Sequence, residues 1–318
     1  MTKEIIRWLA KANVEVNNIG IKVATNKFTL ITTESVPKNT VLISVPRSAV
    51  LNSSTGIMLF EELIEKAGIK KDVQSVALSL FLLHEITEPY SYWKVCLTTL
   101  PKEDFHPLAF DPTLWRQLSL SSFKPVAALL LRQNLEMYES LKKVIKTEAE
   151  NHNRFGALTP ENFTQERFFW ARAVALKYSI KYTPSPKGDS NILMPFIHYI
   201  KDDNVSPNVQ LEIISSDTSP PELKTLQIRS VKNMSEGQQL RLSLHRGLKP
   251  LEERFFRYGL KSLEMQELRQ ISLRDDDMDS STLELQADRK GSKTAQTMHT
   301  ARQPSVGSQQ GTTSTELI

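Results

Sequence analysis

Residues 28–46 read FTLITTESVPKNTVLISVP, and this stretch decides what kind of fold the chain builds. Val, Ile, Thr and Phe dominate it, apolar and polar residues alternate, and Pro37-Lys38-Asn39 interrupts it. β-Branched and aromatic residues at a period of two suit a half-buried pleated surface, while Pro and Asn supply turn backbone, so paired strands are predicted. The same character extends upstream to Ile19, with a second break at Asn26-Lys27. Before it, Ile5, Ile6, Trp8, Leu9 and Ala12 recur at helical spacing and predict a short helix.

Downstream the period changes. Thr55 to Lys66 and Asp72 to Glu88 read as helices with Thr55 and Asp72 as N-caps. Ser122 to Ala149 reads as a long helix that tolerates Pro125 in its first turn, and Asn162 to Ile180 as another. Strand character returns at Asn191 to Ile200, Val209 to Ile214, Leu226 to Val231 and Gln239 to Leu244, with Glu236-Gly237 as a turn. Strands, a helical block, then strands predict an α+β fold in which a helical insertion splits a β-rich domain. After Tyr258 there is no aromatic residue; Leu260, Leu263, Leu268 and Ile271 allow one last helix. From Arg274 onward Asp, Ser, Thr, Gln and Gly prevail, a composition expected to be disordered.

The 318 residues carry a formal net charge of +4 from interspersed signs, with no basic run of the kind nucleic-acid binding needs. The single cysteine, Cys96, lies in an apolar stretch and reads as a core residue, and no Cys/His cluster has metal-ligand spacing. No signal peptide or membrane span is apparent, so a cytoplasmic or nuclear protein is expected. There is no phosphate-binding glycine loop, GxSxG or HExxH. Six scattered histidines and the Phe168-Phe169-Trp170 run read as packed side chains.

Seven segments in order resemble SET-domain proteins of the Rubisco large-subunit methyltransferase and actin-histidine methyltransferase type. They are Ile5–Leu9, the opening hairpin Phe28–Pro46, Trp93–Pro101 (WKVCLTTLP), Phe169-Trp170-Ala171, Leu193-Met194-Pro195-Phe196, Glu236–Leu240, and Glu252-Glu253 with Tyr258-Gly259-Leu260. The resemblance implies a SET-domain β-fold: residues 1–56 give the first helix and first part, 57–165 the helical insertion, 166–262 the second part. Residues 263–318 are expected to form a short helix and a disordered C-terminal tail.

It also implies S-adenosylmethionine as cofactor and a protein as substrate or partner. Family glycines that let the backbone lie against the cofactor correspond here to Lys27, Phe28 and Thr29, where side chains intrude. The family's helix Arg corresponds to Tyr178. Its Asp-x-x-Asn-His block corresponds to His198, Lys201 and Asp202, the last two expected to pair with each other, and Asn208 beyond the block is retained. The catalytic tyrosine falls at His245, while Tyr258 is kept. Each polar loss removes a contact worth about 1 kcal/mol or more, so the resemblance implies a non-catalytic, protein-binding pseudoenzyme. The alternative is an active methyltransferase with an atypical pocket, using His245 or Tyr258.

Overall fold

A computed structural model describes residues 3–24, 27–101, 123–151, 155–185, 188–203, 205–215 and 223–244. The chain divides at Arg269/Gln270 into two units, and the second lies outside the described residues, as does the expected disorder beyond Arg274.

Helix α1 (Lys3–Lys11) buries Ile5, Trp8 and Leu9, whereas Ile6, which the period also selects, is exposed. Four strands follow: β1 (Glu15–Val16), β2 (Ile19–Ala24), β3 (Lys27–Thr32) and β4 (Val41–Pro46). After β5 (Leu51–Asn52) come the helices α2 (Ser53–Lys66), α3 (Val73–Thr87), α4 (Lys94–Leu97), α5 (Phe123–Asn151) and α6 (Gln165–Tyr178). The chain returns to strands with β6 (Ser179–Ser185), β7 (Gly188–Leu193), β8 (Lys201–Asp202), β9 (Val209–Ser215), β10 (Leu223–Ser230) and β11 (Arg241–Leu242).

Strands from both sides of the helical block share sheets, as the split β-domain requires. The larger sheet runs β1-β4-β10-β9-β11-β8, and a smaller one runs β5-β7-β6. Strands β2 and β3 form a separate hairpin, bridged to the C-terminal half at Ile31↔Gln239. No helix among the described residues is long and apolar enough to cross a membrane.

Several boundaries differ from expectation for local reasons. Asn52, not Thr55, caps α2: its Oδ1 accepts from the Thr55 N–H at 2.8 Å. Asp72 stands at the N-cap of α3 in a left-handed conformation, φ 57°, but makes no cap bond. Its carboxylate is taken instead by the buried Arg172 guanidinium of α6. The expected strand Asn191–Ile200 stops at Leu193, because Phe196 adopts φ 61° and a 3-10 turn, Ile197–Tyr199, follows. Gln239–Leu244 contributes only the two residues of β11.

Helix α3 is apolar nearly all round and is buried from Ser75 to Leu83, as befits a helix covered on several sides. Helix α2 crosses it at Gly56, where a Cβ would run into the Ala77 carbonyl. Rigid backbone cannot yield as a flexible side chain can. Gly56→Ala is therefore expected to cost about 1–3 kcal/mol of unfolding free energy by overpacking, despite alanine's helix propensity advantage of ~1 kcal/mol. Met58→Ala, on the same helix at 74% exposure, should stay within about 0.5 kcal/mol of wild type. Urea unfolding checks both; equal effects contradict the close-crossing account.

Candidate functional site

Three of the positions selected in the sequence, Phe28, Tyr178 and His198, meet at the 3-10 turn Ile197–Tyr199. Pro195 and the left-handed Phe196 swing the chain out of β7, and the turn packs on the segment after α4. His198 Nε2 lies 3.4 Å from Thr99 Oγ1, and the Tyr199 hydroxyl donates to the Thr99 carbonyl at 3.4 Å.

Burial pushes the His198 imidazole down to a pKa of about 3, only partly opposed by its hydrogen bond to the Thr99 backbone. The ring is thus neutral at physiological pH. Its Nδ1 is buried with no hydrogen-bond partner among the described residues. The Thr99 hydroxyl donates to the Cys96 carbonyl at 2.6 Å and so accepts from His198 Nε2–H, which assigns the proton to Nε2 and leaves Nδ1 a bare lone pair.

Aromatic rings surround the turn. Tyr199 stacks on Phe196 at 6.0 Å, meets His198 at 4.1 Å, and takes Phe28 of β3 against it at 5.6 Å and 47°. Tyr178, the last residue of α6, stands edge-on to His198 at 6.0 Å and carries the Lys177 ammonium over its ring at 5.2 Å. Burial raises the Tyr199 phenol pKa. The nearby Cys96 thiol is pushed by burial up to about 12, so Cys96 is a core residue and no thiolate nucleophile.

Immediately after the turn, β8 pairs in parallel with β11, Lys201 opposite Arg241 and Asp202 opposite Leu242. Lys201 does not take Asp202 as its partner: its Nζ lies 3.8 Å from the Asp203 carboxylate, which Arg241 also approaches at 3.7 Å. Asp202 Oδ1 faces the Leu244 N–H at 3.5 Å. Burial pushes the Asp203 carboxyl up, but the Ser206 and Val205 N–H groups and the two cations outweigh it and hold it below the usual range.

The structure therefore gathers Phe28 and His198 around Tyr199, with Tyr178 edge-on to His198, and sets Lys201 and Asp202 on the next strand. Thr29 only reaches back across the hairpin, 3.5 Å from the Lys22 carbonyl. The side chain of Lys27, and both His245 and Tyr258, lie outside the described residues. Asn208 is consumed by backbone. Its Nδ2 donates to Gln239 O at 2.8 Å, and its Oδ1 accepts from the Arg241 N–H at 2.7 Å.

Tyr199, Thr99 and Asp203 went unselected in the sequence. Asp203-Asn204-Val205-Ser206 carries a readable signal, an aspartate placed to bond the N–H groups two and three residues on. Thr99, about a hundred positions from its partners, carries none. Among the described residues, no group of three or more His, Cys, Asp or Glu could hold a metal ion.

Neither family models nor curated proteins match the sequence. Solved structures do. A structure of the SET domain of LSMT bound to lysine and AdoHcy aligns with a TM-score of 0.65 at 16% identity, over 81% of this chain and 56% of that one. Rubisco LSMT bound to sinefungin and monomethyllysine gives 0.61 at 16% identity, over 81% and 55%. Rubisco LSMT bound to AdoMet gives 0.55 at 17% identity, over 81% and 55%. The chain has the SET-domain fold of these structures and spans 55% to 56% of their length.

The neutral imidazole makes stability depend on pH in a definite direction. His198 titrates near 6.5 when unfolded and near 3 when folded, so below 6.5 the unfolded state binds the extra proton. Stability is undiminished above that pH and falls as pH drops from 6.5 toward 3. By linkage, the His198 contribution between pH 7 and 4.5 is a loss of up to about 2–3 kcal/mol. His198→Leu should remove most of that slope in urea unfolding at the two pH values; an unchanged slope contradicts a buried neutral ring.

Proposed function

We propose that this chain is a non-catalytic, protein-binding member of the SET-fold proteins, whose cleft is filled by its own side chains. The observation that carries this reading is the packing of Phe28 on Tyr199 beside the half-buried His198. The resemblance puts the methyl donor's contacts at Phe28, Tyr178, His198, Lys201 and Asp202.

The described residues do not fit S-adenosylmethionine. A zwitterion bearing a sulfonium needs polar partners with free valences and backbone it can lie against. At the described positions a phenyl ring covers the shelf, β8 is zipped to β11, and Lys201 is drawn to Asp203. Asn208 has spent its carboxamide on the chain itself. His198 Nδ1 stays open, a single lone pair shielded from solvent. Positioned oxygens and in-line geometry are what methyl transfer gains from, and no such array stands among the described residues.

What remains is a folded body, to which the reading gives a protein partner. Fold alone does not establish an activity, so binding has to be measured. Calorimetry with S-adenosylmethionine should give no saturable heat below about 1 mM, a dissociation constant worth only ~4 kcal/mol. Saturable micromolar binding that is weakened in Tyr178→Ala overturns the reading, and methyl transfer to a protein by the purified chain overturns it equally.

A further inference from the structure

Helix α1 presents a row of cations to solvent. Its buried side, Ile5, Trp8 and Leu9, faces the core. On the opposite side Lys3, Arg7 and Lys11, all exposed, follow one another every fourth residue and so line up along ~12 Å of helix. Among the described residues none of them is drawn to a carboxylate. Glu4, the one acid of the helix, stands in its first turn, where its charge suits the helix dipole. On one flank of the row Ile6 is 54% exposed.

The other flank is aromatic. Lys11 sits over the Tyr92 ring at 5.9 Å, and Trp8 Nε1 donates to the Tyr92 carbonyl at 2.6 Å, so the loop between α3 and α4 lies against the helix. That loop is tied down from within. The Ser91 hydroxyl donates to the buried Glu85 carboxylate at 2.6 Å and accepts from the Trp93 N–H at 3.1 Å. The same loop displays Tyr90, which is 94% exposed. Tyrosine and arginine are the residue types that carry much of the binding energy at protein interfaces, and here both stand in solvent on a fixed frame.

We propose that Lys3, Arg7 and Lys11, flanked by Ile6 and Tyr90, form a docking surface for an acidic helix of a partner protein, one whose carboxylates recur every fourth residue beside an apolar residue. Charge complementarity sets the acid, and the spacing of the row sets its repeat. A membrane surface does not fit, because it would take the apolar side of α1, which the core already holds. A nucleic-acid strand offers phosphates in a long run, whereas this row stops at three cations. The surface goes beyond the non-catalytic reading and stands without it: calorimetry with S-adenosylmethionine can come out either way and leave it intact.

Fluorescence anisotropy tests the surface in the full chain, with a labelled helical peptide that carries glutamate at every fourth position among leucine and alanine. Its twin has glutamine in place of glutamate. We expect saturable binding of the first and none of the second, with most of the affinity lost in about 1 M salt. Arg7→Glu should weaken binding by about 10-fold or more, and Tyr90→Ala by about 5- to 30-fold. Lys143→Glu makes the same charge change at an exposed position of α5 and should stay within about 2-fold of wild type. No binding of the glutamate peptide overturns the proposal, as does equal weakening by Arg7→Glu and Lys143→Glu. Tighter Arg7-dependent binding of phosphatidylserine vesicles or of single-stranded RNA overturns it too.

Discussion

A single buried carboxamide fixes the geometry on which both the β2–β3 hairpin and the turn Ile197–Tyr199 depend. Asn208 is fully buried, and backbone occupies every polar group it has. Its N–H donates to Arg241 O, its carbonyl accepts from Val231 N–H, and its side chain spans Gln239 and Arg241. An unsatisfied buried polar group costs about 1–3 kcal/mol, so a residue with four such groups holds its partners in one arrangement or not at all. The segment it grips, Gln239 to Leu242, then hands that arrangement on in both directions. The Leu240 N–H anchors β3 through Leu30, which carries the hairpin and Phe28. On the other side Lys201 and Asp203 donate their N–H groups to Leu240 and Leu242, which sets β8 and the turn with His198 and Tyr199 before it.

On the proposed non-catalytic reading, that arrangement is a settled structure and not a reactive one. Catalytic clefts keep polar groups incompletely satisfied so that a ligand can complete them. Here the polar side chains flanking the turn find partners within the chain: Lys201 and Arg241 at Asp203, Asp203 at the loop amides, Tyr199 at Thr99. Aromatic packing completes the shelf, with Tyr199 between Phe196 and Phe28. Each of these closures ties the turn to the rest of the fold.

Much of the fold was legible because its larger elements carry a period. The 28–46 stretch, the N-terminal helix and the helical block announced themselves by spacing, and the sheets join the two halves as that pattern requires. Two-residue strands such as β8 and β11 have no period to read, and a run like Asn191–Ile200 looks continuous until Pro195 and Phe196 turn it. Asp72 was read correctly as standing at a helix start, but Arg172, a hundred residues on, decided where its carboxylate points. The site was less legible. Phe28, Tyr178 and His198 were picked through resemblance in register, whereas Tyr199 and Thr99 acquire their roles only when the turn folds against the loop after α4.

The central claim is that this chain's own side chains fill the place where a SET-fold enzyme would hold its methyl donor. The ring nitrogens of His198 report on that place directly. Their 15N shifts should show a neutral ring with the proton on Nε2 from pH 8 down to about 4.5, as a buried imidazole with a pKa of about 3 demands. Those shifts should not move when S-adenosylmethionine is added to about 1 mM, the limit at which binding is worth only ~4 kcal/mol. A titration centred near 6.5, or a saturable shift of either nitrogen on adding S-adenosylmethionine, would contradict the account.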